Sequence, residues 1–580
     1  MIPDCKKSKP GQLNSRDRLS DLPDFIIHHI ISYLGTKEAY RTSVLSKRWT
    51  QISATSPVLE FHHNNISNGD TARLLEYIDA RMQRYSKENL RILTLELKFP
   101  TTDLELACKF DEWLEIAVQN QVAKFDFTGP ANSNYKVPQI LFSSKSLRRL
   151  DCSKVKIPYY EAVDLVSLEY LGLSDVVVDE RMLFHMVSSC LLLTELSISD
   201  CSGFKNLVIP RCSKLEFLDI DRTLPVDGRV ILETSSLRKF QYIPKDSNDY
   251  ENPWPIISNG GLLRNLRFVS VSSLSITDEA LAELLPELAS LENLVFWGCH
   301  MLTSIKISNT QLKEICLHDC YTLLDIVIDA PSLKKFKFDG EIDPSLSITI
   351  TSQADCSIYI YTMPCYFDTD RFLRLKKLLT GLNSCNILKI LLLDELSTEV
   401  SQFANKLAYN CLDYELIFTL AQTLMIVFLK SRGDDIEFDE EESGNADLGP
   451  PCDIRELKLT LLYWDLSISS LSALVNGLFW TCHPDIMSLR VDLGRHNLTV
   501  KPLLRKLEGM VKCFKHPLKR IEVEGVNCSD FLKSISRDGV DGATSLVQYV
   551  IDVDHLTGTV NFKHNIAISV SCSTSYLYSW

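Results

Sequence analysis

LENLVFWGCHMLTSIKISNTQLKEICLHDCYTLLDIVIDAPSLKKFKF, residues 291–338, contains one short unit three times. The unit is apolar-x-x-apolar-x-apolar. It occurs as Leu291/Leu294/Phe296, Leu312/Ile315/Leu317 and Leu333/Phe336/Phe338, with a step of 21 residues each time. Alternating apolar residues over so short a span make a strand with one buried face. A single such unit cannot bury that face, so copies must stack. Successive strands then pair in parallel, and the return segments hold helix or irregular turn.

The unit extends upstream as Leu90/Leu93/Leu95, Leu147/Leu150/Cys152, Leu168/Leu171/Leu173, Leu193/Leu196/Ile198, Leu215/Leu218/Ile220, Leu237/Phe240/Tyr242 and Leu266/Val269/Val271. From Leu147 to Leu333 the steps run from 21 to 29 residues, which fits the leucine-rich-repeat period of roughly 20 to 29. Cys201, Cys299 and Cys320 fall on the ninth position of a repeat, where Asn or Cys turns the backbone after the strand. This leaves no role for them as metal ligands. Strand positions between the leucines face the concave side of a curved array. Tyr170, Phe217, Phe268, Trp297 and His318 stand there and are the candidate substrate contacts, because aromatic residues concentrate in interface hot spots.

Ahead of the repeats lies RLSDLPDFIIHHIISYLGTKEAYRTSVLSKRWTQI, residues 18–52. Leu22, Ile26, Ile30 and Leu34 recur every fourth residue, and Ile27 and Ile31 widen the stripe into an amphipathic helix. Pro23 suits the first turn and Gly35 the stop. Thr36 can cap a second helix through Val44. Ser46 can cap a third, with Leu45, Trp49 and Ile52 on one side. About 35 residues of helix cannot bury this much apolar surface alone, so the leftover stripe asks for a partner.

The pattern Leu22-Pro23-Asp24, Ile27, Ile30, Ser32, Leu34 and Val44-Leu45-Ser46-Lys47-Arg48-Trp49 resembles the F-box. The stretches FDEWLEIAVQNQVAKFDF, ILFSSKSLRRLDCSKVKIP and LFHMVSSCLLLTELSISDCSGFKNLVI resemble plant F-box/leucine-rich-repeat proteins. The resemblance covers residues 18 to about 340 and fades between 340 and 450. It implies an α/β solenoid: a three-helix F-box, a curved repeat array and a C-terminal region. The implied partners are a Skp-type adaptor, through it a cullin-based ubiquitin ligase, and a protein substrate held by the repeats. The implied adaptor face is Leu22, Pro23, Ile27, Ile30, Leu34, Val44, Leu45 and Trp49, with Arg48 as a polar contact. A non-degradative interaction scaffold is the competing reading. Some relatives of this kind are small-molecule receptors with a basic pocket. Lys334, Lys335 and Lys337 cluster here, but the concave positions are mixed in sign.

The remaining organisation reads as a disordered basic tail at 1–17, the F-box at 18–60 and a connecting helix at 61–89, carried by Leu74, Leu75, Ile78 and Met82. Repeats follow at 90–430. They include a helix at Leu104–Val118 and a strand at Val122/Phe125/Phe127. Cys356–Tyr361 and Leu388/Leu391/Leu393 read as strands, and Phe372–Leu382 as a helix. GDDIEFDEEESGNADLGPP, residues 433–451, places an acidic flexible linker or loop at 431–452. Residues 453–580 contain further strands at Ile454/Leu457/Leu459, Ile486/Leu489/Val491 and Leu518/Ile521/Val523. HPLKRIEVEGVNCSDFLKSI is similar to the FBD segment of many plant F-box proteins but lacks its closing helix and strand; Ser536–Ser545 is turn material instead, and further repeats continuing the same solenoid are the alternative reading of 453–580.

The net charge of −14 argues against a dedicated nucleic-acid binder. Residues 1–18 have no apolar core, and the 18 cysteines form no CxxC pair. A cytoplasmic or nuclear chain with reduced thiols is expected. Leu416–Leu429 is too short and polar for a membrane span and reads as a buried helix. There is no Gly-rich phosphate loop, GxSxG or HExxH. His28-His29 and His62-His63 are adjacent pairs, which do not share a helical face. No enzyme, catalytic residue, metal or cofactor is assigned.

Overall fold

The computed structural model describes residues 22–31, 33–34, 41–62, 71–98, 105–129, 135–211, 214–225, 227–245, 254–258, 262–341, 346–352, 354–362, 369–382, 387–394, 423–429, 452–462, 468–492, 520–526, 547–554 and 559–565. The tail at 1–17, the acidic stretch 433–451, the Thr36 cap and Ser536–Ser545 lie outside them. The chain forms two compact units. One is residues 1–237 with 256–259; the other is 238–255 with 260–580.

The first unit opens with helices α1 (Asp24–Ile31) and α2 (Lys47–Ala54), and a 3-10 turn over Thr42–Val44. Ser46 caps α2 as its sequence position predicts: its Oγ accepts the Trp49 N–H at 3.3 Å. Ile27, Ile31, Trp49 and Ile52 form a closed apolar core between the helices, and Leu22 and Leu34 pack on its edge.

Strand β1 (Val58–His62) follows α2 almost directly. Then come α3 (Thr71–Glu88), β2 (Thr94–Lys98), α4 (Glu105–Gln119), β3 (Lys124–Thr128), β4 (Arg149–Ser153) and β5 (Tyr170–Ser174). Helix α5 (Glu180–Ser189), β6 (Glu195–Ser199) and β7 (Phe217–Asp221) complete the unit's main sheet. The seven strands pair in parallel and in chain order. One register row reads Leu95, Phe125, Leu150, Leu171, Leu196 and Leu218, all buried. The sheet therefore starts before the first sequence repeat.

A turn device follows strand after strand. The residue after each of β4 to β7 is Lys154, Asp175, Asp200 or Arg222, each with φ between 43° and 56°. This left-handed turn aims the backbone N–H at the last carbonyl of the next strand, as from Asp175 to Ser199 O at 2.8 Å. The following side chain is then buried: Val155, Val176, Cys201 and Thr223. Cys201 Sγ lies 3.3 Å from Ser199 O, and Thr223 Oγ1 lies 2.8 Å from Asp221 O. Burial pushes the Cys201 thiol up to about 12, so it acts as a small core side chain.

The second unit continues with β8 (Lys239–Ile243), β9 (Phe268–Ser272), α6 (Asp278–Leu284), β10 (Asn293–Trp297), β11 (Glu314–His318), β12 (Lys335–Glu341) and β13 (Asp355–Thr362). Next are α7 (Thr369–Gly381), β14 (Ile387–Asp394), β15 (Thr423–Leu429), β16 (Cys452–Leu462), α8 (Ile468–Thr481), β17 (Cys482–Asp492) and β18 (Arg520–Val526). Strands β8 to β18 are parallel. Then β19 (Val547–Asp554) and β20 (Thr559–Asn565) add antiparallel. The same turn recurs at Ser273, Gly298 and Asp319; at Gly298 the sequence uses the residue that takes this conformation without strain. Cys299 and Cys320 fill the buried place after it.

Two sequence readings are corrected. The first repeat unit is Ile92/Leu95/Leu97, all buried, and not Leu90/Leu93/Leu95, because Leu95 stands in register with Phe125 and Leu150 and Leu97 with Phe127 and Cys152. Within Leu416–Leu429, Thr423–Leu429 is strand, not helix, paired on both sides by β14 and β16. A continuous apolar run suits a strand paired along both edges as well as it suits a buried helix.

Helices α7 and α8 meet closely enough to exclude a methyl group. A Cβ built on Gly477 would stand 2.3 Å from Phe372 Cζ. An exposed Gly→Ala change gains about 1 kcal/mol in helix propensity. Here overpacking costs about 1–3 kcal/mol and wins, so Gly477→Ala is expected to lower the urea midpoint of the intact chain. A raised midpoint would show that α7 can slide aside.

Candidate functional site

Two surfaces hold the residues that sequence reasoning singled out. On the helical segment they divide sharply. Ile27 and Trp49 are buried in the core, 0% and 3% exposed. Leu22 and Leu34 are half-buried against it. Pro23 is exposed, as are Ile30 (36%), Val44 (86%) and Leu45 (60%). Tyr33, which the pattern did not flag, is 77% exposed. Four of the thirteen exposed large apolar side chains among the described residues thus lie within 16 residues of chain. Single exposed hydrophobics are ordinary; such a concentration marks an interaction site.

Arg48 serves the fold. Its Nη2 and Nε donate to Asp24 Oδ1 at 2.6 and 2.9 Å, and Nη2 also donates to the Leu22 carbonyl. It ties α2 to the start of α1. His28, half-buried under α2, has a ring Nε2 3.5 Å from Thr55 Oγ1, and burial lowers its pKa. Farther along, Arg81 donates to Ser53 O at 2.8 Å and the Tyr85 hydroxyl donates to Ser56 O. The helical segment is thereby fastened to α3.

On the strand face of the first unit, Tyr170 is packed. The Arg149 guanidinium sits 3.5 Å from its ring centroid, and its hydroxyl donates to Asp151 at 3.4 Å. Gly172 leaves it room; a Cβ there would lie 2.8 Å from the Tyr170 hydroxyl. Phe217 stands two strands away, with Glu195 between them in register. Sequence reasoning missed the row beside them: Glu60, Glu96, Asp126 and Asp151 share one register line. The signal was present as an acidic residue at the middle of each strand. Lys98 bridges the row, with Asp126 at 2.8 Å and Glu96 closer. Burial would lower the Lys98 pKa, but the bonds it donates to those two carboxylates, and their charge, raise it.

In the second unit Phe268 is half-buried between Lys239 and Asn293 in register. Trp297 and His318 are register neighbours, stacked with centroids 4.0 Å apart and planes at 22°. Met301, Tyr321 and Leu324 are exposed in the turns beyond. Among the described residues no helix is long and apolar enough to cross a membrane.

Comparison with known proteins matches the helical segment and the repeats that follow it. Residues 19–61 match the F-box domain. Residues 82–245 and 255–399 match the family described as At1g61320/AtMIF1, LRR domain. Among curated relatives from Arabidopsis thaliana, F-box/LRR-repeat protein 25 is 26% identical over 221 residues, 38% of this chain and 82% of that protein. F-box/LRR-repeat protein At5g02910 is 27% identical over 215 residues, 36% of this chain and 44% of that protein. At3g59240, named for F-box, FBD and LRR-repeat regions, is 26% identical over 259 residues, 41% of this chain and 49% of that protein. The aligned stretches thus span about half the length of the last two. Because the two repeat stretches make up more than half of the 580 residues, the chain belongs to the F-box/leucine-rich-repeat family, with a repeat domain of the At1g61320/AtMIF1 type.

Proposed function

We propose that the chain is the substrate-recognition subunit of a Skp–cullin–F-box ubiquitin ligase, acting in the cytoplasm or nucleus. The F-box binds the adaptor, and the strand faces of the repeats hold a protein substrate. Ubiquitin chemistry belongs to other subunits, so this chain contributes binding and position. The observation that carries the reading is the pairing of a closed core, Ile27/Ile31/Trp49/Ile52, with uncovered Ile30, Val44 and Leu45 beside it. The segment needs no partner to fill its centre, yet it presents apolar surface that water does not favour. The region 453–580 is read as FBD-like: its parallel sheet gives way to the antiparallel β19 and β20.

Co-expression with a Skp-type adaptor and cullin tests this. One ternary species on size exclusion is expected. Recovery of adaptor without cullin would leave a docking scaffold instead, and recovery of neither would remove the F-box reading.

A further inference from the structure

The strand face of the second unit differs from that of the first in charge. The first unit's seven strands offer 28 outward positions, counting the residue just before each strand and its first, third and fifth residues. These hold nine Asp/Glu and four Lys/Arg. The nineteen corresponding positions of β8 to β12 whose side chains are described hold seven Lys/Arg against Glu292 and Glu314. A local excess of five positive charges among these described side chains thus stands in a chain whose net charge is −14.

Part of that charge is uncommitted. Arg267 and Lys313 both pair with Glu292, at 3.5 and 2.6 Å. Lys239, Lys334 and Lys335 are exposed and Lys337 is half-buried, and among the described residues none has an ion-pair partner. Glu314 is the register neighbour of Lys335, but its Oε2 accepts from Asn293 at 3.1 Å. Lys334 adjoins Lys313, so like charges are neighbours at that edge. Such an arrangement opposes itself unless an anion is brought in.

The same face carries apolar anchors. Phe268 is half-buried near the strand starts, and the Trp297–His318 stack lies at the strand ends. Between them are small or neutral residues, Ser270, Val295 and Cys316. Aromatic anchors beside cations suit a segment that alternates negative and apolar side chains.

We infer that the β8–β12 face binds an anionic peptide segment bearing an aromatic or aliphatic side chain, with Lys239, Lys335 and Lys337 taking the anions and Phe268 and Trp297 the apolar group. This rests on the receptor reading above and names its substrate class. The anions are Asp/Glu carboxylates or phosphorylated hydroxyls; both meet the same lysines.

Random twelve-residue peptides displayed on phage, panned on the intact chain bound to its adaptor, test it. Enrichment of acidic peptides with an aromatic or aliphatic residue is expected. The best peptide should lose at least tenfold in affinity on Lys335→Glu with Lys337→Glu, and should weaken as salt rises. Lys124→Glu, on the first unit, should change it less than twofold. Lys335→Gln with Lys337→Gln replaces the charge reversal if that variant fails to fold, with a threefold or greater loss expected. Tighter binding of a glutamate or a phosphoserine version of the peptide assigns the anion, and either supports the site. Neutral or basic peptides, no enrichment, or an acidic preference that survives both lysine variants would overturn it. So would preference for a peptide copying residues 433–451, which would give the face to the chain's own acidic stretch. Adaptor retention, recorded on the same samples, reports separately on the F-box: a chain that keeps adaptor but shows no acidic preference loses only this inference.

Discussion

Val44→Asp with Leu45→Asp is expected to strip the chain of adaptor while leaving it folded. Both side chains are largely exposed, at 86% and 60%, so neither supports the core of Ile27, Ile31, Trp49 and Ile52. The Ser46 cap and the Arg48–Asp24 pair stay in place. Apolar residues at the centre of an interface cost about 2 kcal/mol or more when truncated. A buried unpaired carboxylate costs further. The pair of changes should therefore weaken adaptor binding at least ~100-fold. Calorimetry against purified adaptor gives the affinity, and a thermal melt checks the fold. An unchanged affinity with an unchanged melt would place the adaptor surface elsewhere.

Trp113→Ala is expected to destabilise the first unit strongly. Trp113 is fully buried, in edge contact with Phe110 at 5.6 Å between centroids. Its Nε1 donates to Asp79 Oδ1 at 2.9 Å, and Lys109 holds the other oxygen at 2.9 Å. Truncation to Ala costs about 3–5 kcal/mol through lost burial and the cavity left. Trp113→Phe, which keeps most of the volume and removes the bond to Asp79, should cost about 1–2 kcal/mol. Burial would raise the Asp79 pKa, but the bonds from Trp113 and Lys109 and the charge of Lys109 bring it below the usual value. A depressed carboxylate contributes stability above its unfolded pKa, and that part is lost as pH falls through the folded pKa. The gap between wild type and Trp113→Phe should therefore narrow below the ordinary Asp range. Urea titrations at neutral pH and at acid pH measure both effects. A loss under 1 kcal/mol for Trp113→Ala would show that α3 and α4 close over the gap.

The repeat strands were legible because their signal is local and repeated. Leu294, Ile315 and Phe336 recur at a fixed step, and the structure stacks them in one register row. Helices α1, α4 and α7 were legible for the same reason at a different period. Strand β1 escaped because Val58-Leu59-Glu60-Phe61 has no preceding leucine at the repeat spacing. Strand β15 escaped because an unbroken apolar run has no period to read. Which side of an amphipathic segment faces its own core also lies beyond pattern. Ile27 and Ile30 belong to one stripe, but one is buried and the other exposed. Arg48 and Tyr170 show the same limit: their contacts, Asp24 and Arg149, are set by tertiary approach.

Helix α2 runs into β1 with only a short turn between them, and Arg81 and Tyr85 clamp that turn from α3. Under the proposed function, the joint makes the first unit a lever and not a tether. A flexible tether would spread its cargo through a volume set by linker length. A clamped joint gives a fixed reach and aim, so whatever the first strands hold is offered at one angle to the docking machinery. Lysines on a captured protein would then be selected by where they stand in space, and moving the joint by a few inserted residues would change which of them is reached.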